Sequence, residues 1–159
     1  MLPNQYFPFF KSNKRILLYL IEEKIIIFDN IIVNAISKGK YAKENYQSYF
    51  FPEIKSFLQE EEIKYFNKTI NFDKFDEKRL TGENDSYICQ MIRNDLIDEF
   101  ISYVNQNCIF LNSLIEKSIF ETNSLLNKKE CTLIEYSAFF GSIQIFKYLY
   151  LNGSITKPS

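Results

Sequence analysis

The chain has 159 residues, 46% hydrophobic and 25% charged, a composition that folds and does not stay disordered. Its 19 basic and 20 acidic residues give a net charge of −1. That leaves no basic stripe of the kind that neutralises nucleic-acid phosphates. Histidine is absent, which excludes Ser-His-Asp and Cys-His nucleophile activation in their usual forms, histidine metal sites and histidine pH switches.

Glycine and proline number 4 each, so helices with short connections are predicted in place of a turn-rich β fold. The segment Met1 to Phe10, with Pro3 and Pro8, reads as an extended aromatic lead-in. From Lys14, apolar residues at Leu17, Leu20, Ile21, Ile25 and Phe28, then Ile31, Ile32 and Ala35, recur at helical spacing. Asp29 is an N-cap residue type in the middle of this run. The spacing therefore predicts helices over 13–24 and 29–38, the second stopped at Gly39; Ile25 to Phe28 is also compatible with a short strand. Tyr41 to Phe51 reads as a polar, tyrosine-rich connection. Pro52 suits a helical first turn, and Ile54, Phe57, Leu58 and Ile63 continue from it. Lys64 to Glu83 shows no clear period and reads as a long loop ending in Thr81-Gly82.

Beyond Gly82 the pattern sharpens. Asp85 or Ser86 is placed to cap a helix holding Ile88, Cys89 and Ile92, and Asp95 to cap one holding Ile97, Phe100, Ile101 and Val104. A turn over Asn105–Asn112, a weakly amphipathic piece over Ser113–Glu121 and a polar loop over Asn123–Glu130 follow. Thr132 with Glu135 forms the Thr-x-x-Glu capping box. The short helix it opens has Ile134, Ala138 and Ser137 toward its packing side. Gly141 is placed for the positive φ of a helix exit. Ser142 caps a helix burying Ile145, Phe146 and Leu149, and Asn152-Gly153 makes a second positive-φ turn.

Residues 132–153 resemble an ankyrin repeat. Thr132, Ile134, Ala138, Gly141, Ile145, Phe146, Tyr148, Leu149 and Gly153 fit its pattern at the right spacing. Leu133, Glu135, Ser137 and Ser142 depart from it, standing where the pattern has Pro, His, Ala and His. A generic helical hairpin is the alternative. Residues 86–107 look like a degenerate copy, with Ile97 matching Ile143, Phe100 matching Phe146, Tyr103 matching Leu149, and Asp95 where Gly141 stands. The stretch from Tyr49-Phe50-Phe51-Pro52-Glu53 through Glu83-Asn84-Asp85-Ser86-Tyr87-Ile88-Cys89 to Thr132-Leu133-Ile134-Glu135-Tyr136 resembles the uncharacterised N-terminal domain that precedes ankyrin repeats in a protist protein family. That resemblance implies further repeats in the family and no known activity or catalytic residue. The expected architecture is all-α: short antiparallel helical hairpins stacked as an ankyrin-like solenoid, with 1–80 a divergent helical region and 81–159 a degenerate plus one recognisable repeat. Thr132, Ala138, Gly141, Ile145, Leu149 and Gly153 would define that repeat.

A repeat cannot bury its own apolar face alone. Without a capping repeat, some of Ile143, Phe146, Tyr150 and Leu151 are therefore expected at the surface. Either the chain is a truncated member without independent function or a partner, a second copy included, covers that face. The favoured function is a non-catalytic protein-interaction module, with Asn127, Lys128, Lys129, Glu135, Phe139 and Phe140 near the partner. For the two phenylalanines the competing reading is that one packs inside and one is simply exposed. An enzyme with a carboxylate site is the other alternative, through Asp73/Asp76 or Asp95/Asp98/Glu99. Helix caps and solvated faces explain those acids better, and no EF-hand, P-loop or GxSxG motif is present. Neither a metal nor a cofactor nor a nucleic-acid partner is expected. Cys89, Cys108 and Cys131, far apart and without a CxxC, read as buried thiols. The apolar runs near residues 16–28 are split by Glu22-Glu23-Lys24, so no membrane insertion is expected and a cytoplasmic or nuclear location is the default.

Overall fold

The structure, a computed structural model, describes residues 6–128 and 130–153. The described chain is all-α; its β pairing is an isolated antiparallel bridge between Leu114 and Thr132. Among these residues no helix is long and apolar enough to cross a membrane. The chain forms two compact units: Met1–Glu83 with Ile119–Ser124, and Asn84–Ser118 with Leu125–Ser159.

The first unit holds α1 (Phe7–Phe10), α2 (Lys14–Glu22), α3 (Asn30–Ile36), α4 (Gly39–Lys43), α5 (Tyr46–Tyr49), α6 (Phe51–Ile54), α7 (Glu60–Thr69) and α8 (Phe75–Thr81). Local chemistry explains the starts of α2 and α3. The Asn13 side chain accepts from the Ile16 amide at 3.0 Å and Asp29 from the Ile32 amide at 2.8 Å, each satisfying one orphan N–H of a first turn. Between them Ile25–Phe28 is neither strand nor helix, yet Ile26 and Phe28 are buried.

Four sequence expectations are corrected here. The aromatic lead-in is helical from Phe7, and Phe7 is buried; residues 1–5 lie outside the described residues. Tyr41–Phe51 is not a polar connection: it carries most of α4 and all of α5, and Tyr46, Tyr49 and Phe50 are fully buried. Their rings meet edge to face or tilted, Tyr49 to Phe50 at 4.9 Å and Phe28 to Phe50 at 5.6 Å. The helix begun at Pro52 breaks after Ile54 into a single 3₁₀ turn over Lys55–Phe57. Lys64–Glu83 is not a loop but the body of α7 and α8. A Gln59/Glu62 capping box opens α7, and Ile63, Phe66 and Ile70 form a sparse apolar stripe at helical spacing.

Two cations are buried in this unit. Lys14 is 1% exposed. Its Nζ donates to the carbonyls of Ile119 and Glu121 at 3.1 and 3.2 Å and lies 5.3 Å from the ring centroids of both Tyr46 and Tyr49. Arg79 donates to both Glu53 carboxylate oxygens at 2.8 and 2.9 Å, to Asp76 at 2.9 Å and to the Tyr49 carbonyl at 3.2 Å. Tyr49 Oη returns a hydrogen bond to the Arg79 carbonyl at 3.1 Å. Segment 119–124 is tied down by these contacts and by Thr122, whose amide and hydroxyl both donate to the Gly82 carbonyl. Gly82 has φ +69°, a left-handed backbone that favours glycine, and a Cβ there would lie 2.5 Å from Arg15 Cδ and force that side chain aside.

The second unit is built on two helical hairpins: α9 (Tyr87–Arg93) with α10 (Ile97–Gln106), and α12 (Leu133–Phe140) with α13 (Ile143–Gly153). Between them lies the short helix α11 (Ser124–Lys128). The hairpins pack side by side, α9 on α12 and α10 on α13. Cys89, Met91, Ile92, Phe100, Val104, Leu133, Tyr136, Ile145 and Leu149 form one buried cluster. Ser113–Glu121 is not helical; Ser113–Ile115 pairs with Cys131–Leu133 through backbone bonds of 2.7 and 3.2 Å.

Candidate interaction site

The α12–α13 hairpin starts as its sequence dictates. Thr132 accepts from the Glu135 amide, and the Glu135 carboxylate accepts from the Thr132 amide at 3.0 Å, closing the capping box. Gly141 leaves α12 with φ +69°. Ser142 N–H donates to the Ser137 carbonyl and Gly141 N–H to that of Ala138, which is a Schellman exit. The first hairpin turns identically with an aspartate: Asp95 has φ +51°, and Leu96 and Asp95 donate to Met91 and Ile92.

Asp95 does not cap its own helix. Its carboxylate accepts from the Gln144 and Ile145 amides at 3.1 and 3.0 Å, so it caps α13 of the other hairpin. Ser142, read as that cap, is fully occupied elsewhere: it is buried and its Oγ donates to the Ile92 carbonyl. Arg93 adds a third tie, donating to Tyr136 Oη at 2.8 Å. Replacing Asp95 by Ala is expected to cost about 1–2 kcal/mol in urea melts, for the lost cap and dipole contact. Asp95→Gly is expected to cost about 1 kcal/mol less than Asp95→Ala, because glycine relieves the left-handed backbone.

The turns align Asp95 with Gly141, but the buried faces are one residue out of step. Phe100 and Val104 occupy the places of Ile145 and Leu149, which corrects the pairing of Phe100 with Phe146 and Tyr103 with Leu149. One residue is about 100° of helix rotation, and it turns Phe146 toward the outside. Ile145 and Leu149 are core, as read. Ala138 is exposed and Ser137 fully buried, the reverse of the packing weight given to Ala138. Ser137 is tolerated there because its Oγ donates to the Ile134 carbonyl at 2.8 Å. Gly153 makes no positive-φ turn. It ends α13 as a helical residue, and a Cβ there would meet Leu111 at an ordinary 3.6 Å.

The six residues placed near a partner are dispersed in environment. Asn127 is buried in α11, and the Glu135 carboxylate serves the capping box. Lys128 ends α11, and Lys129 lies outside the described residues. Phe140 packs on Tyr136 at 4.7 Å and beneath the Arg93 guanidinium, while Phe139 is 44% exposed. Phe140→Ala is therefore expected to destabilise by about 2–3 kcal/mol and Phe139→Ala by under about 1 kcal/mol, read as urea midpoints.

The apolar surface that sequence reading did weigh lies on α13. Ile143, Tyr150 and Leu151 are 61%, 59% and 66% exposed. With half-buried Phe146, whose ring stacks on Tyr150 at 6.2 Å, they lie on the outward face of the helix, on either side of the exposed Lys147. No family model, curated protein or solved structure matches the chain. The surface chemistry itself must then carry the reading.

Of the five candidate carboxylates three have structural partners: Asp76 pairs with Arg79, Asp95 caps α13, and Glu99 accepts from Tyr87 Oη at 3.3 Å. Among the described residues no group of three or more Cys, Asp or Glu side chains is placed to hold a metal. Cys89 is buried and Cys131 half-buried, but Cys108, expected inside, is exposed at a left-handed turn with φ +52°.

Proposed function

We propose that the chain is a non-catalytic protein-binding module of the helical-hairpin repeat type, similar to ankyrin arrays. The observation that carries this reading is the exposed stripe Ile143–Phe146–Tyr150–Leu151 on α13. Several large exposed apolar side chains on one helix face, here around the charged Lys147, mark an interaction site. In a repeat array it is the face that the next hairpin covers. The side-by-side packing of α9–α10 and α12–α13 supports the same reading, because a third element seated on α13 would repeat that contact. The module binds through helix surfaces and not through a reaction centre. Phe139, near the end of α12, is a further exposed apolar side chain of this hairpin.

The test is capture from lysate on the wild-type chain beside Ile143→Asp/Leu151→Asp, after circular dichroism shows equal helicity. A partner held by the wild type and lost by the variant supports the proposal. Equal capture by both, or none by either, counts against it. Sedimentation of the wild type alone distinguishes a second copy on the same face from a foreign partner.

A further inference from the structure

The α9–α10 hairpin and the chain that follows it enclose a cavity of about 330 Å³. Ile88, Ile109, Leu114, Ile115 and Leu133 make half of its lining aliphatic. Ser86 also lines it, and its Oγ is buried without a hydrogen-bond partner. At the rim the rings of Tyr87 and Tyr103 meet edge to face at 5.2 Å and 76°. The same two tyrosines border a second hollow of about 320 Å³, whose remaining wall is Asp98, Glu99, Ser102 and Gln106. Glu116 lines the first cavity, and among the described residues neither lining contains a lysine or arginine.

We infer that these adjoining hollows bind a short segment of a partner protein in which a bulky aliphatic side chain stands next to a lysine or arginine. The chemistry divides between the hollows. The aliphatic cavity takes the hydrocarbon side chain and removes it from water. The tyrosine faces and the carboxylates of Asp98 and Glu99 take the cation, by the attraction of a cation to an aromatic face and by charge complementarity. An acidic segment would be repelled by Asp98, Glu99 and Glu116, and a purely apolar one would leave the second hollow unfilled. Occupancy by a small amphiphilic amine would satisfy the same chemistry without any peptide backbone.

The inference rests on the protein-binding reading but uses none of the α13 stripe. The probe is the capped peptide Gly-Leu-Lys-Gly, titrated into the full chain at low salt and followed by NMR. Shifts are expected at Ile88, Ile109, Leu114, Ile115, Tyr87 and Tyr103. Changing the peptide's Lys to Glu or its Leu to Gly is expected to weaken binding about tenfold each. The surface substitutions Asp98→Asn/Glu99→Gln are expected to weaken the Lys peptide and remove its advantage over the Glu peptide. Shifts absent at millimolar peptide, shifts elsewhere, or a Lys preference unchanged in the variant overturn the inference. So does a leucinol–amine mixture that shifts the same residues as strongly as the peptide. If the peptide fails while the α13 variant still loses its captured partner, this inference falls and the proposed function stands.

Discussion

From pH 8 to pH 10 the wild-type chain is expected to become more stable by about 1 kcal/mol, the ~2 kcal/mol contributed by Lys14 less what two buried tyrosines take back, and Lys14→Met is expected to lose that gain. Burial pushes the Lys14 ammonium from its ordinary 10.5 down to about 8, and the nearby Glu44 and Glu121 charges oppose the shift only in part. The folded chain therefore releases this proton near pH 8, while the unfolded chain holds it until about 10.5. Where the unfolded state binds more protons, stability rises with pH. The neutral amine keeps two N–H donors, enough for the Ile119 and Glu121 carbonyls it serves.

The rise is bounded above by the two tyrosines under the amine. Burial pushes the Tyr49 phenol from 10.0 to about 12, and burial raises Tyr46 also. Above about pH 10 the unfolded chain ionises these phenols before the folded chain does, and stability falls again. Urea midpoints across alkaline pH should thus pass through a maximum in the wild type. In Lys14→Met the rising limb should vanish, with a loss of about 1–3 kcal/mol from the buried hydrogen bonds that Lys14 no longer makes to the Ile119 and Glu121 carbonyls. A rising limb that persists in the variant would show that Lys14 is not its source.

Arg79→Ala is expected to destabilise the chain by about 3–5 kcal/mol, because it leaves the largely buried Glu53 carboxylate without its counter-charge. The Arg79 and Glu53 side chains are only 7% and 21% exposed. Desolvation raises the Glu53 carboxyl above its usual range even with Arg79 beside it, whose charge and hydrogen bonds pull the other way. Without Arg79 the carboxyl rises further, and the loss should shrink as pH falls and Glu53 takes a proton. Arg79→Lys should recover only a minority of the stability, since an ammonium cannot bridge Glu53, Asp76 and the Tyr49 carbonyl as the guanidinium does. In Arg79→Ala/Glu53→Gln the two losses should be clearly less than additive, as for residues of one network. Additive losses would mean that the pair is not coupled.

What was legible in the sequence was local. Asp29, the Thr132–Glu135 box and Gly141 act on amides within a few residues, so residue type and spacing reveal them. The all-helical character followed from period and the scarcity of breakers. Tyr46, Tyr49 and Phe50 were missed because polar neighbours hide the short helix that buries them. α7 and α8 were missed because Ile63, Phe66, Ile70 and Phe75 are thinly spread among Asn, Lys and Asp. Asp95 illustrates the harder limit. Its residue type announces a helix cap, but the helix it caps lies in the other hairpin. The same holds for Lys14, whose burial depends on carbonyls supplied from residues 119 and 121. At the candidate site, adjacent Phe139 and Phe140 were indistinguishable by type, and only packing on Tyr136 separates them.

The central proposal is that the α13 stripe is a binding face, and footprinting of the captured complex tests it most directly. Hydroxyl-radical labelling would be compared for the chain alone and with its partner bound, at Ile143, Tyr150 and Leu151. Phe110, 78% exposed, serves as the internal reference. The proposal predicts that labelling of the three α13 residues drops on partner binding while Phe110 changes little. Unchanged labelling of α13 in a saturated complex would contradict it.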